Sequence, residues 1–150
     1  MQQLVILDCT NCDTITDEVL AKVGQSCPLL ESVCLNGYEC FQCYSWKNIR
    51  LEEIDISACA QLTHVGLISL VSRMHSLRYL NLSYCGVGRA VTDEVLLEMA
   101  TQRSCMNLEM LDVRWSLTLT PDALFTLAQA APFLKCLGVY QSSNISPAAM

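Results

Sequence analysis

Residues 4–20 read LVILDCTNCDTITDEVL and residues 77–96 read LRYLNLSYCGVGRAVTDEVL, both closing on TDEVL. In each, a short run of alternating apolar residues leads to a cysteine, then polar residues, then Ile or Val followed by Thr. Self-similarity at a fixed spacing is the mark of a repeat architecture. Aligned on the first leucine of each run, units begin at Leu4, Leu30, Leu51, Leu77, Leu108 and Leu134, spaced 26, 21, 26, 31 and 26 residues apart.

Within each unit the pattern is L-x-x-L-x-L-x-x-C. Leu77, Leu80, Leu82 and Cys85 show it plainly; Leu108, Leu111, Val113 and Ser116 repeat it with serine in the last slot. The alternation predicts a short strand with one face buried. The cysteine slot falls where the chain leaves the strand, and a small, weakly polar side chain there packs beneath the backbone of the turn. The second half of a unit reads as a helix. Leu20 and Val23, Leu67 and Leu70, Leu96 and Met99, and Leu124 and Leu127 are three apart, on one helical face. Thr16, Thr63, Thr92 and Thr120 stand at N-cap positions, and Asp17, Asp93 and Asp122 put negative charge in the first turn. Pro121 takes the first helical position, where its missing N–H costs nothing.

Composition narrows the function classes. A chain of 150 residues, 52% apolar and with mean hydropathy +0.33, can bury a real core. No apolar run approaches the roughly 18 residues of a bilayer span, so a membrane role is not expected. The start MQQLVILDC has neither a basic flank nor a signal-like stretch. Ten cysteines without a secretory signal point to reduced thiols in the cytoplasm, or in a nuclear or cytoskeletal setting. A net charge of −6 with nine Lys and Arg lacks the basic stripe that nucleic acid requires.

The units resemble the cysteine-containing class of leucine-rich repeats, C-P-x-L-x-x-L-x-L-x-x-C-x-x-I-T-D-x-x-L-x-x-L. Cys27-Pro28-Leu29-Leu30 matches its opening, and Ile15-Thr16-Asp17 and Val91-Thr92-Asp93 match its later part. The resemblance spans nearly the whole chain. It implies an α/β leucine-rich-repeat solenoid, a horseshoe arc with short parallel strands on the concave face and helices on the convex face. One domain over residues 1–150, of about six repeats, is expected. Such repeats are found above all in F-box/leucine-rich-repeat proteins, the substrate receptors of cullin-RING ubiquitin ligases. The expected role is therefore a non-enzymatic protein-binding scaffold without cofactor. A structural subunit of a cytoskeletal or axonemal assembly is the alternative. The chain carries no F-box, and neither end carries a polar capping unit, so neighbours or further sequence are expected to cover the ends.

Two Cys-x-x-Cys pairs raise the question of metal. Cys9 falls in the third apolar slot and Cys12 in the turn slot, so both are expected to face the core as packing residues. Structural zinc needs four convergent ligands, which this placement does not supply. Cys40 and Cys43 lie in the shortest unit, in ECFQCYSWKNIR, and leave open either a packed loop or a metal- or redox-responsive pair. Gly86-x-Gly88 has Val91 where a dinucleotide fingerprint needs its third glycine, and no βαβ frame surrounds it. His64 replaces the aspartate of Ile-Thr-Asp and His75 opens the fourth unit; neither has a spaced nucleophile, and no catalytic residue is expected.

The positions between the apolar slots point outward from the strands. Their middle column runs Asp8, Cys34, Asp55, Asn81, Asp112, Gly138. With Glu53, Arg114 and the flanking Tyr79 and Tyr140, this column is the candidate partner site, an acidic stripe suited to a basic peptide or loop. The competing reading is that Asp or Asn here only solvates the strand. Trp46 and Trp115 are further exposed-aromatic candidates.

Overall fold

A computed structural model describes residues 3–12, 14–27, 29–35, 52–72 and 74–142. Strands β1 (Ile6–Asp8), β2 (Ser32–Cys34), β3 (Glu53–Asp55), β4 (Tyr79–Asn81), β5 (Met110–Asp112) and β6 (Cys136–Gly138) form one all-parallel sheet in chain order. Helices α1 (Asp17–Ser26), α2 (His64–Val71), α3 (Asp93–Thr101) and α4 (Pro121–Ala130) connect strands and pack in succession, α1 on α2, α2 on α3 and α3 on α4. This is an α/β fold. No helix among the described residues is long and apolar enough to cross a membrane.

Register follows the sequence repeat slot for slot. Leu7, Val33, Ile54, Leu80, Leu111 and Leu137 are successive partners across the sheet, as are Asp8, Cys34, Asp55, Asn81, Asp112 and Gly138. A slip of one residue would turn every apolar slot to solvent, so burial of one face dictates this pairing. The core fills with Ile54, Leu80 and Leu111 from the strands, Ile56, Leu82 and Val113 just after them, and Leu67, Leu96 and Leu127 from the helices. At the outermost strands, Leu7 and Leu137 are only partly buried.

The turn after each strand explains the cysteine slot. A residue in the left-handed region (Asn11, Ala58, Tyr84, Trp115, Gln141) precedes the slot and swings its side chain inward. There the Cys59 thiol donates to the Leu35 carbonyl at 2.9 Å, and Cys85 donates to that of Ile56 at 3.0 Å. Ser142 does the same to Val113 at 3.3 Å. Cys59, Cys85 and Ser142 thus tie their units to the preceding ones, whereas the slot residue Ser116 is buried with its hydroxyl unpartnered. Cys12 is different. Among the described residues no strand precedes β1, no carbonyl is offered, and Cys12 is exposed while Cys9 is half-buried. The expectation that both face the core is corrected on this point.

Helix entry is also a device between units. Thr16, Thr63, Thr92 and Thr120 are all N-cap residues, but only the Thr63 hydroxyl accepts from its own helix, from the Gly66 N–H. The aspartates of the first turn do more. Asp17 accepts both the N–H and the hydroxyl of Thr63, and Asp93 accepts those of Thr120 at 2.9 and 2.8 Å. His64 occupies the same place in α2, and the buried Thr92 hydroxyl beyond it has no partner. Gly66 permits the closeness of α1 and α2, since a Cβ there would overlap the Asp17 carboxylate.

Residues 36–51 and 143–150, and with them Tyr38, Cys40, Cys43 and Trp46, lie outside the described residues. α1 meets α2 although β2 stands between their strands. A cavity of about 790 Å³ lies there, lined by Leu20, Val23, Leu30, Val33, Ile54 and Leu70 among others.

Candidate partner-binding face

Alternation along the strands leaves one side chain before and one after each buried apolar residue, and these form the open face of the sheet. The middle column is built first by local chemistry. Asp8 Oδ1 accepts the Thr10 N–H at 3.0 Å and the Thr10 hydroxyl at 2.6 Å. Asp55 does the same with Ser57 (2.9 and 2.6 Å), and Asn81 with Ser83 (3.1 and 2.8 Å). A short polar side chain bonding two residues ahead is the Asx-turn, which starts the chain's departure from the strand. The Thr10 hydroxyl and then its N–H hold the Asp8 carboxyl below its ordinary range, against a smaller opposing effect of burial.

Asp112 breaks the stripe. It points outward by register, yet it is only 4% exposed. Arg114 folds over it, with Nε 2.9 and 2.8 Å from the two carboxylate oxygens and a terminal nitrogen at 2.6 Å. Gly138 beside it leaves the room, since a Cβ there would sit 2.9 Å from Asp112 Oδ1. The fixed negative charge of the face is thereby concentrated on Asp8, Glu53 and Asp55, toward one side of the sheet. Burial raises the Glu53 carboxyl; Arg78 opposes this and Glu52 adds to it.

A second charged row runs along the strand entries. Arg78 joins Glu52 (3.3 Å) and Glu109, and Lys135 joins Glu109 at 2.7 Å. Hydrogen bonds that Arg78 donates to Glu109 and Glu52 raise its guanidinium, and those that Glu109 accepts from Lys135 and Arg78 lower the Glu109 carboxyl. The same guanidinium lies 5.5 Å from the centre of the Tyr79 ring, so Tyr79 is a backed platform rather than a free anchor. Tyr140, by contrast, is 66% exposed, with its hydroxyl 3.3 Å from Gln141 Nε2.

The far rim of the face holds a cluster that the outward columns do not contain. Tyr84 and Trp115 meet edge to face, centroids 6.2 Å apart at 78°. Trp115 is 46% exposed, and Val87 and Leu117 are exposed nearby on the same rim. Tyr84, Val87 and Trp115 all have φ between +55 and +61°, costly for bulky or β-branched residues and held by the surrounding turns. Tyr84 and Trp115 occupy the position just before the turn slot, where other units carry Asn11, Ala58 and Gln141. That contrast in size was the available sequence signal.

Chemically, the face offers carboxylates, hydroxyls and aromatic surface for noncovalent contact. Among the described residues no group of three His, Cys, Asp or Glu is placed to hold a metal ion. His64 and His75 stand exposed at the two ends of α2, and the pair Cys40 and Cys43 lies outside the described residues. Comparison with family models and with curated proteins finds no match to this chain.

Proposed function

We propose that the chain is a leucine-rich-repeat solenoid acting as a non-enzymatic, cytoplasmic protein-binding scaffold. In its specific form this is the substrate-binding repeat region of an F-box-type receptor for a cullin-RING ubiquitin ligase. The observation that carries it is the register: six equivalent strands in chain order present equivalent outward side chains as one continuous face. On that face Asp8, Glu53 and Asp55 supply negative charge, and Trp115 with Tyr140 supplies exposed aromatic surface of the kind that anchors partners. A protein segment with basic residues facing β1 to β3 and an apolar residue facing Trp115 is the complementary ligand. The alternative, a structural subunit of a cytoskeletal or axonemal assembly, draws on exposed apolar residues in the outermost units, Ile6 and Phe133.

The test starts from the endogenous protein, captured natively with its partners and identified by mass spectrometry. The ligase reading requires a cullin-ligase adaptor in that complex; cytoskeletal proteins in its place favour the alternative. The partner is then re-bound by purified chain. Glu53→Lys/Asp55→Lys and Trp115→Ala/Tyr140→Ala are each expected to weaken binding by about tenfold or more. Undiminished binding by both variants refutes the assignment of this face.

A further inference from the structure

The first unit differs from the others in one chemical respect: cysteine fills both its third apolar slot and its turn slot. Elsewhere these pairs are Ile56 with Cys59 and Leu82 with Cys85, and the thiols are buried and committed to carbonyls. In the first unit the Cys12 N–H closes on the Cys9 carbonyl at 3.1 Å, with Asn11 at φ +66° between them. A turn of this kind holds its end Cα atoms within about 7 Å, and a disulfide spans about 4.4–6.8 Å between Cα atoms. The thiols are neighbours already. Burial, then the Cys12 thiol through its charge and a hydrogen bond, pushes the Cys9 thiol up. Cys12 is exposed and Cys9 is half-buried, a division of access that suits an attacking and a resolving thiol. Cys34, across on β2, has its sulfur 3.3 Å from the Thr10 hydroxyl.

We propose that Cys9 and Cys12 form a redox-modification site, closing to a disulfide within their own turn by exchange with a small-molecule disulfide of the glutathione type. The Cys12 thiolate attacks one sulfur of RSSR, forming Cys12–S–SR and releasing RS⁻, which takes up a proton. Cys9 then loses its proton to water and attacks the Cys12 sulfur, expelling the second RS⁻. The net exchange is two protein thiols plus RSSR giving one protein disulfide plus two RSH; the protein loses two electrons and two protons, and RSSR gains them. The product locks the turn that carries the Asp8–Thr10 bonds, at one edge of the open face. This inference does not depend on the binding role.

Trypsin cutting after Lys22 isolates Cys9 and Cys12 in peptide 1–22, apart from every other cysteine. The full chain is equilibrated in glutathione and glutathione disulfide, acid-quenched, alkylated and digested without reductant. Peptide 1–22 is expected to be lighter by two hydrogens and free of glutathione, while Cys9→Ser stalls as a glutathione adduct on Cys12. The effective molarity of the wild-type pair is expected to be about tenfold higher in the native protein than in urea, because the turn pre-organises it. A persistent glutathione adduct on wild-type Cys12, a Cys12–Cys34 linkage, or equal effective molarity in urea would overturn the proposal. The urea comparison needs no variant, so it stands even if Cys9→Ser misfolds.

Discussion

Replacing His64 by aspartate should stabilise this protein, against the usual direction of point mutation. The reasoning is a comparison between equivalent places. At the start of α1, Asp17 accepts the N–H and hydroxyl of Thr63; at the start of α3, Asp93 accepts those of Thr120. At the start of α2 the side chain is His64, and the Thr92 hydroxyl is buried without a partner. An unmet buried hydroxyl costs about 1–3 kcal/mol, and a hydrogen bond to a charged group contributes about 1.5–3 kcal/mol. Negative charge in the first helical turn adds about 0.3–1 kcal/mol. His64 is exposed, so little is lost with it. Because these gains overlap, the expected net is about 1–3 kcal/mol, read as a higher urea midpoint at unchanged slope. In thermal unfolding a chain of this size should gain about 2–4 °C per kcal/mol. Thr92→Val completes the cycle: alone it should be near neutral, and in its presence most of the gain from His64→Asp should vanish. A His64→Asp protein no more stable than the wild type, or a gain that survives Thr92→Val undiminished, refutes the inter-unit role of this aspartate.

Two further outcomes follow from packing and burial. Gly66→Ala should destabilise by about 1–3 kcal/mol in urea unfolding despite alanine's better helix propensity, because the added methyl displaces Asp17 from Thr63. Burial is the leading cause that pushes the Cys59 thiol up to about 12 and the Cys85 thiol well above its ordinary 9.0. The folded state then keeps these protons where the unfolded state releases them. Stability is full below about pH 9 and falls as pH rises from 9 toward 12. Denaturant midpoints measured across that range should decline, and Cys59→Ser, whose hydroxyl can still reach the Leu35 carbonyl, should flatten the decline. A midpoint independent of pH between 9 and 11 would contradict the assigned burial.

Much of this architecture was readable because one pattern recurs. L-x-x-L-x-L located the six strands found among the described residues, and the strand register is the alignment of the units themselves. Helix starts were equally legible, since each described N-cap is the expected threonine. The candidate face was legible only as a set of outward positions. Asp8, Glu53, Asp55, Asn81 and Tyr140 are found on it as the alternation requires, but their chemistry differs from residue to residue. Asp112 is enclosed by Arg114, Tyr79 is backed by Arg78, and the Tyr84–Trp115 pair lies outside the columns altogether.

The sequence alone determined which residues are strand, which begin helices and, Cys12 excepted, which repeat slots face the core, because each of these depends on spacing along the chain. Tertiary structure alone decided what a polar residue does once there. Asp17 and Asp93 serve the next helix rather than their own, Cys59 and Cys85 serve the preceding unit, and Cys12, with no such neighbour among the described residues, is left at the surface beside Cys9. Hydrogen bonds and ion pairs act over about 3 Å between groups that are more than twenty residues apart in sequence, a proximity created only when the units stack.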